Sequence, residues 1–218
     1  MNPQRDNTAW RLEQCYSGAV YDVLRELGRQ NQALPGSIQP IDSSWKLAGR
    51  VYTVSGRPCE ADPDETLLQW TGLLSKAPAE SVVVCQPNDS ELSHMGELSA
   101  ETMLYRGVRG YIVDGGCRDA DYILRFGFKV FCRYFTPKDI VGRWLPETFE
   151  EPVTIGDVEV RTGDYVMADR DGTVVIPADM AEEVTDKTEE VMRTESLVRK
   201  AILEGTDPQE AYKKYGRF

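Results

Sequence analysis

The run Ser81–Cys85 puts three consecutive valines between a serine and a cysteine, so a strand built from it presents apolar, β-branched side chains on both faces. Such a strand belongs inside a parallel sheet, where crossover helices cover it. The residues that follow fit this arrangement. Gln86–Met95 is a polar loop, Gly96–Arg106 has helical character, Gly107 is a natural stop, and Gly110–Val113 is a second short apolar strand. Strand, helix and strand in that order predict an α/β fold with parallel character at its centre.

The rest of the chain extends the plan. Gly18–Leu27 places Ala19, Val20, Val23, Leu24 and Leu27 at helical spacing before Gly28, with Asp22 off the apolar stripe. Leu47–Val54 suits a strand, Pro58–Asp64 a polar turn, and the residues from Asp64 a short helix. Asp119–Phe126 reads as a helix ended by Gly127, and Lys129–Cys132 as the next strand. Thr136–Glu151 carries Pro137, Pro146 and several charges, which predicts an excursion at the surface or at an interface. Pro152–Val160 and Asp164–Ile176 give short strands split by Gly156-Asp157, Gly163-Asp164 and Asp171-Gly172 turns, so the sheet is mixed. Ala178 to about Gly205 is one long charged helix, too poor in apolar residues for a central position, and is expected outside or against a neighbouring subunit. A last short helix spans Asp207–Tyr215, with Asp207-Pro208 as its cap. We read residues 1–218 as one domain, with 178–218 a helical tail.

Charge narrows the partners. A formal net charge of −11 repels nucleic-acid backbones and anionic membranes, so an anionic substrate needs a local positive site. Five cysteines at irregular spacing, with no CxxC pair, read as reduced thiols of a cytoplasmic protein. The N-terminal stretch lacks the apolar segment of a secretory signal, and no run approaches the roughly 18 apolar residues of a membrane span. His94 is the single histidine, which excludes a multi-histidine zinc or iron centre.

The local positive site lies in Gly110–Asp119, GYIVDGGCRD, where Arg118 and Asp119 follow a glycine turn at the end of a strand. A guanidinium holds a carboxylate or a developing enolate through two parallel hydrogen bonds, and a neighbouring carboxylate can seat a hard cation. Glu97 precedes this pair by twenty intervening residues, in the first turn of a helix whose Gly96, Glu97, Leu98 and Ser99 amides form an anion socket. Ligands gather beyond the carboxyl ends of strands in open α/β sheets, so the two loops are expected to converge there. The plainer alternative is that Glu97 complements a helix dipole while Arg118 and Asp119 form a surface turn with local ion pairs. For the other polar residues the structural reading is preferred: Asp171-Gly172 beside Asp169 as a hairpin turn, Cys117 as a packed thiol, and Arg133 as an ion-pair partner. His94 either lines a pocket or makes a loop hydrogen bond, and Trp45, Trp70 and Trp144 are packing residues. Lys76, Lys129 and Lys138 show no desolvating pocket suited to a Schiff base.

The run GELSAETMLYRGVRGYIVDGGCRDADYILRFGFKVFCRYFTP resembles the divalent-metal pyruvate aldolases of the 4-hydroxy-4-methyl-2-oxoglutarate aldolase group, which share a fold with the regulator of ribonuclease E activity A. The acidic residue, twenty residues and Arg-Asp form that signature, and GAVYDVLRELG, GDYVMADRDGTVVIP and the YGRF end extend the likeness over nearly the whole chain. The resemblance implies a layered β/β/α RraA-like domain, assembled as a homotrimer or homohexamer with interfacial active sites. It implies a lyase acting on small 2-oxo acids with Mg²⁺ or Mn²⁺ bound by Asp119, while Arg118 contacts the keto oxygen and the Gly96 to Ser99 amides cradle the substrate carboxylate. Glu97 would hold water of the metal shell, and Asp22 and Glu195 would support that shell from an adjacent subunit. This chain has Glu97 where the group more usually has aspartate, a reach longer by one methylene. The long C-terminal helix is shared with the aldolases and lacking in the ribonuclease regulator. A non-catalytic regulator that binds a protein partner is the alternative, and a methyltransferase is disfavoured because no GxGxxG is present.

Overall fold

The computed structural model describes residues 6–218; residues 1–5, part of the N-terminal stretch discussed for a secretory signal, lie outside them. The chain opens on α1 (Asn7–Glu13), a helix capped by the Asp6 side chain, and α2 (Ser17–Glu26), which buries the predicted Ala19, Val20, Val23 and Leu24 stripe. Next come β1 (Gln39–Pro40), β2 (Leu47–Pro58), α3 (Pro63–Lys76), β3 (Ser81–Gln86) and α4 (Glu97–Tyr105). They are followed by β4 (Gly110–Val113), β5 (Gly116–Cys117), α5 (Ala120–Phe126), β6 (Lys129–Cys132) and β7 (Tyr134–Phe135). The chain then forms β8 (Trp144–Phe149), β9 (Val153–Ile155), β10 (Val158–Val160), β11 (Tyr165–Asp169) and β12 (Gly172–Ile176). The tail is α6 (Ala181–Leu203) and α7 (Pro208–Tyr215).

The main sheet has the order β1-β6-β4-β3-β2-β11-β12, with β8 on β2. Its centre is parallel, β2 to β3 to β4 to β6, as the valine run requires; β1, β8, β11 and β12 pair antiparallel. Alternate side chains point to opposite faces. Val83, Cys85, Tyr111 and Val113 pack under α3, α4 and α5, while Ala48, Met167 and Val174 pack under α1, α2 and α6. The opposite set, Leu47, Val51, Val82, Val84 and Ile112, packs against the β9–β10 hairpin. These are the predicted β/β/α layers.

Two sequence expectations change. β2 runs past Val54 to Pro58, with a register shift between Ser55 and Gly56 that lets it pair with β8. Thr136–Glu151 is therefore not only a surface excursion: it contains β8, whose Trp144 is completely buried. A Cβ at Gly56 would stand 2.1 Å from Trp144 Cζ2, so the glycine makes room for the indole.

The tail helix lies on the outside, burying Ala181, Val184, Thr185, Thr188, Val191 and Val198 on one side and exposing Leu197 and Leu203. Arg217 ties the tail to Glu26 of α2 at 2.9 Å. Among the described residues no helix is long and apolar enough to cross a membrane.

Candidate active site

The loops after β3 and β4 converge through a short ladder. Ser93 bridges Gly116, the His94 amide donates to Gly116 O at 2.9 Å, and the Arg118 amide donates to Met95 O at 2.9 Å. β5 pairs in parallel with β7 on its other side. Gly116 permits this close approach, since a Cβ there would lie 2.5 Å from both Leu92 O and the Tyr134 ring. The ladder lays the start of α4 beside Arg118 and Asp119.

Asp119 adopts the left-handed conformation, φ 56°, uncommon outside glycine but tolerated by aspartate. Its Oδ2 accepts from the Glu97 amide at 3.1 Å and lies 3.5 Å from Arg118 Nε. The Glu97 amide is thus committed to Asp119, which leaves the Gly96, Leu98 and Ser99 amides for an anion. Arg118 Nη1 lies 3.4 Å from Asp139 Oδ2, and Asp139 is held in turn by Arg143 at 2.9 Å. Burial opposes ionisation of Asp139, but hydrogen bonds from Arg143 and the Val141 amide and the charge of Arg118 outweigh it and hold its pKa below the usual carboxylate value. Asp139 was not singled out in the sequence; only its place between prolines, read as a loop, bore on it.

Glu97, Arg118, Asp119 and Asp139 line one cleft of about 540 Å³, together with Gly96, Leu98 and Ser99. Ser99 Oγ accepts from Trp70 Nε1 at 2.8 Å, which ties α3 to the first turn of α4. His94 is buried in the cleft wall, edge-on to Trp144, and both its nitrogens lack hydrogen-bond partners among the described residues. Burial lowers its pKa to about 4, against a smaller opposing effect of Asp89, so it is neutral at pH 7.

Asp22 and Glu195 are not brought to this cleft. Asp22 pairs with Arg25 at 2.9 Å, and Glu195 accepts a hydrogen bond from Tyr16 and borders a separate apolar hollow of the tail beside Val198, Ile202 and Phe218. Asp22 stands on α2 and Glu195 on α6, helices whose buried residues join those of β11 and β12 in one core cluster. Asp169 caps α2 instead of binding a ligand, accepting from the Ser17 amide and hydroxyl at 2.8 and 2.7 Å. Hydrogen bonding with Cys132 and burial push the Cys117 thiol pKa well up, in keeping with a packed residue. Arg133 pairs with Asp114 at 3.3 Å, as expected. Lys129 pairs with Glu13, Lys138 with Glu91, and Lys76 lies over the Phe149 ring, so none of the three lines the cleft.

Fold and site together describe a β/β/α protein whose Arg-Asp pair meets a helix start at the carboxyl ends of parallel strands. The chain belongs to the RraA-like family, described as Aldolase/RraA, whose model matches residues 17–175. It is 29% identical over 210 residues to the protein DlpA of Legionella pneumophila, covering 96% of this chain and 34% of that protein, so it spans about a third of that relative's length. A Halalkalibacterium halodurans protein provisionally named a 4-hydroxy-4-methyl-2-oxoglutarate aldolase is 24% identical over 183 residues, 82% of each chain. A solved structure described under novel cellulases from gut-associated microbes matches with TM-score 0.83 and 33% identity over 90% of this chain and 89% of that one. RraAS2 of Streptomyces coelicolor, described as an unusual member of the RNase ES inhibitor RraA family, matches with TM-score 0.80 and 26% identity over 90% and 98%.

Proposed function

We propose that the chain is a divalent-metal-dependent lyase for small 2-oxo acids, cleaving a 4-hydroxy-2-oxo acid to pyruvate, decarboxylating oxaloacetate through the same pyruvate enolate, or both. The observation that carries this reading is the meeting of Arg118, Asp119 and the first turn of α4 in one cleft. Asp119 is the residue that would hold Mg²⁺ or Mn²⁺. Its Oδ2 is engaged by the protein, while Oδ1 has no hydrogen-bond partner among the described residues. Those residues contain no ready-made cluster of three or more metal-ligating side chains. One carboxylate completed by water and substrate oxygens suits Mg²⁺, which dehydrates reluctantly. A bound cation would supply Lewis acidity toward the oxo-acid oxygens.

In the cleavage, the C4 hydroxyl loses its proton, the C3–C4 bond breaks, and its electron pair moves onto the C2 oxygen. A proton delivered to C3 completes pyruvate. Arg118 stabilises the charge on the C2 oxygen, which grows only as the bond breaks, so the contact favours the transition state over the ground state. The Gly96, Leu98 and Ser99 amides hold the substrate carboxylate at the positive end of α4. Glu97, whose carboxylate has no partner among the described residues, moves the proton. Asp22 and Glu195 do not line the cleft of their own chain, and in this reading they act from a neighbouring subunit of a trimer or a hexamer of paired trimers, as the likeness to the aldolases implies.

The test is pyruvate release by the purified protein from oxaloacetate and from 4-hydroxy-2-oxo acids. Release with Mg²⁺ or Mn²⁺, loss with chelator and recovery on adding metal back are expected. No metal-dependent release from any of them would favour the second reading, a regulator that binds a protein partner, which is supported by the RraA half of the family description and by the Streptomyces relative.

Gly96→Ala probes the site's tightness. The added Cβ would fall 2.8 Å from Asp119 Oδ2 and 3.2 Å from Arg118 Nε, while the backbone there, φ −142°, accepts alanine. Displacement of that pair is expected to lower kcat/KM about 100-fold, with the melting temperature changed by no more than about 4 °C. Steady-state rates paired with a thermal melt check this; an unimpaired rate would show that the Asp119 position is not needed.

A further inference from the structure

We infer that this cleft takes a 2-oxo acid charged at one end only, with an aliphatic or aromatic group at C4 in place of a second carboxylate; the inference rests on the lyase reading above. Charge decides it. Among the described residues lining the cleft, Arg118 is the single cationic side chain, and it is already shared by Asp119 and Asp139 at 3.5 and 3.4 Å. Glu97 is a third carboxylate; a divalent cation on Asp119 together with Arg118 would offset these three charges, and Arg143 is committed to Asp139, so no positive charge is left over for a second substrate carboxylate. His94 adds no positive charge at neutral pH, because burial disfavours its protonated form.

The remaining lining is largely apolar. Leu67, Trp70 and Leu74 contribute from α3, and Ile140 and Val141 from the segment between β7 and β8. The one polar atom of the Trp70 ring donates to Ser99 Oγ, so the indole offers a substrate only its carbon surface. A second carboxylate entering this cleft gives up water and meets no cationic side chain in the lining that is not already paired. An alkyl or aryl group gains free energy with each methylene it buries against the same residues.

Two 4-hydroxy-2-oxo acids separate the cases under identical Mg²⁺ conditions. One is 4-hydroxy-6-methyl-2-oxoheptanoate, with an isobutyl group at C4; the other is the dicarboxylate 4-hydroxy-4-methyl-2-oxoglutarate. The wild-type protein is expected to prefer the isobutyl substrate by at least about tenfold in kcat/KM. Leu67→Lys, at a position 47% exposed and tolerant of charge, and Val141→Lys each place a cation in the lining and are expected to shift the ratio toward the dicarboxylate. A wild-type preference for the dicarboxylate, or equal rates, would overturn the inference and leave the lyase reading standing. Absence of metal-dependent pyruvate from both acids and from oxaloacetate would overturn the two together.

Discussion

Arg118→Ala is expected to lower kcat for metal-dependent pyruvate release by about 10²–10³-fold, the usual cost of deleting a donor to a developing oxyanion. The fold should hardly notice. The Arg118 side chain is 39% exposed, and its ion pairs with Asp119 and Asp139 are 3.5 and 3.4 Å long. Pairs of this exposure contribute on the order of 0–1 kcal/mol, so the melting temperature should move by no more than about 4 °C. Arg118→Lys separates charge from shape, because lysine keeps the positive charge but loses the planar fork that can contact a carboxylate and a keto oxygen together. It is expected to recover only part of the lost rate. Rapid-quench or coupled assays of pyruvate, with kcat and KM determined separately, provide the measurement. A variant that raised KM alone would mean that Arg118 binds substrate and transition state equally. An unaltered kcat together with an unaltered KM would remove Arg118 from the chemistry and overturn the role proposed for it.

The parts of this site differ in how far the sequence shows them. The strands were readable because Val82, Val83 and Val84 have nowhere to go but a sheet covered on both faces, and every one of them is buried. Convergence of the two loops followed from that topology. The ladder that accomplishes it did not, since β5 and β7 are two residues each and too short to show alternation. α1 was missed for a similar reason, having only Ala9 and Leu12 to bury and so no apolar period of its own. Asp139 is hidden inside a stretch whose prolines and charges look like loop, although it reaches Arg118, whereas Trp144 in the same stretch fills the core as a packing residue, as its type suggests, while the strand that carries it does not show. Asp22 and Glu195 show the opposite case. They follow from likeness along the chain, and within the chain they meet Arg25 and Tyr16 and stay clear of the cleft.

Trp144→Ala is expected to destabilise the protein by about 3–5 kcal/mol and to lower its melting temperature by about 10 °C or more. Trp144 is fully buried, donates from Nε1 to Pro87 O at 2.8 Å, and meets the rings of Trp70 and His94 edge-on at 6.1 and 5.1 Å. Truncation empties that space in the main core. It also strips an acceptor of its donor, and Trp144→Phe isolates this second loss at about 1–3 kcal/mol by leaving Pro87 O unpaired. Urea unfolding with an unchanged m-value is the measurement, since it assigns the loss to the native contacts and not to an altered denatured state. The damage extends to the site, because Trp70 rests on Trp144 and its Nε1 holds Ser99 in the first turn of α4. Trp144→Phe, still folded at 25 °C, should therefore show a raised KM for the oxo acid before kcat falls. A loss below about 1 kcal/mol for Trp144→Ala would return Thr136–Glu151 to a surface excursion and separate β8 from the support of the cleft.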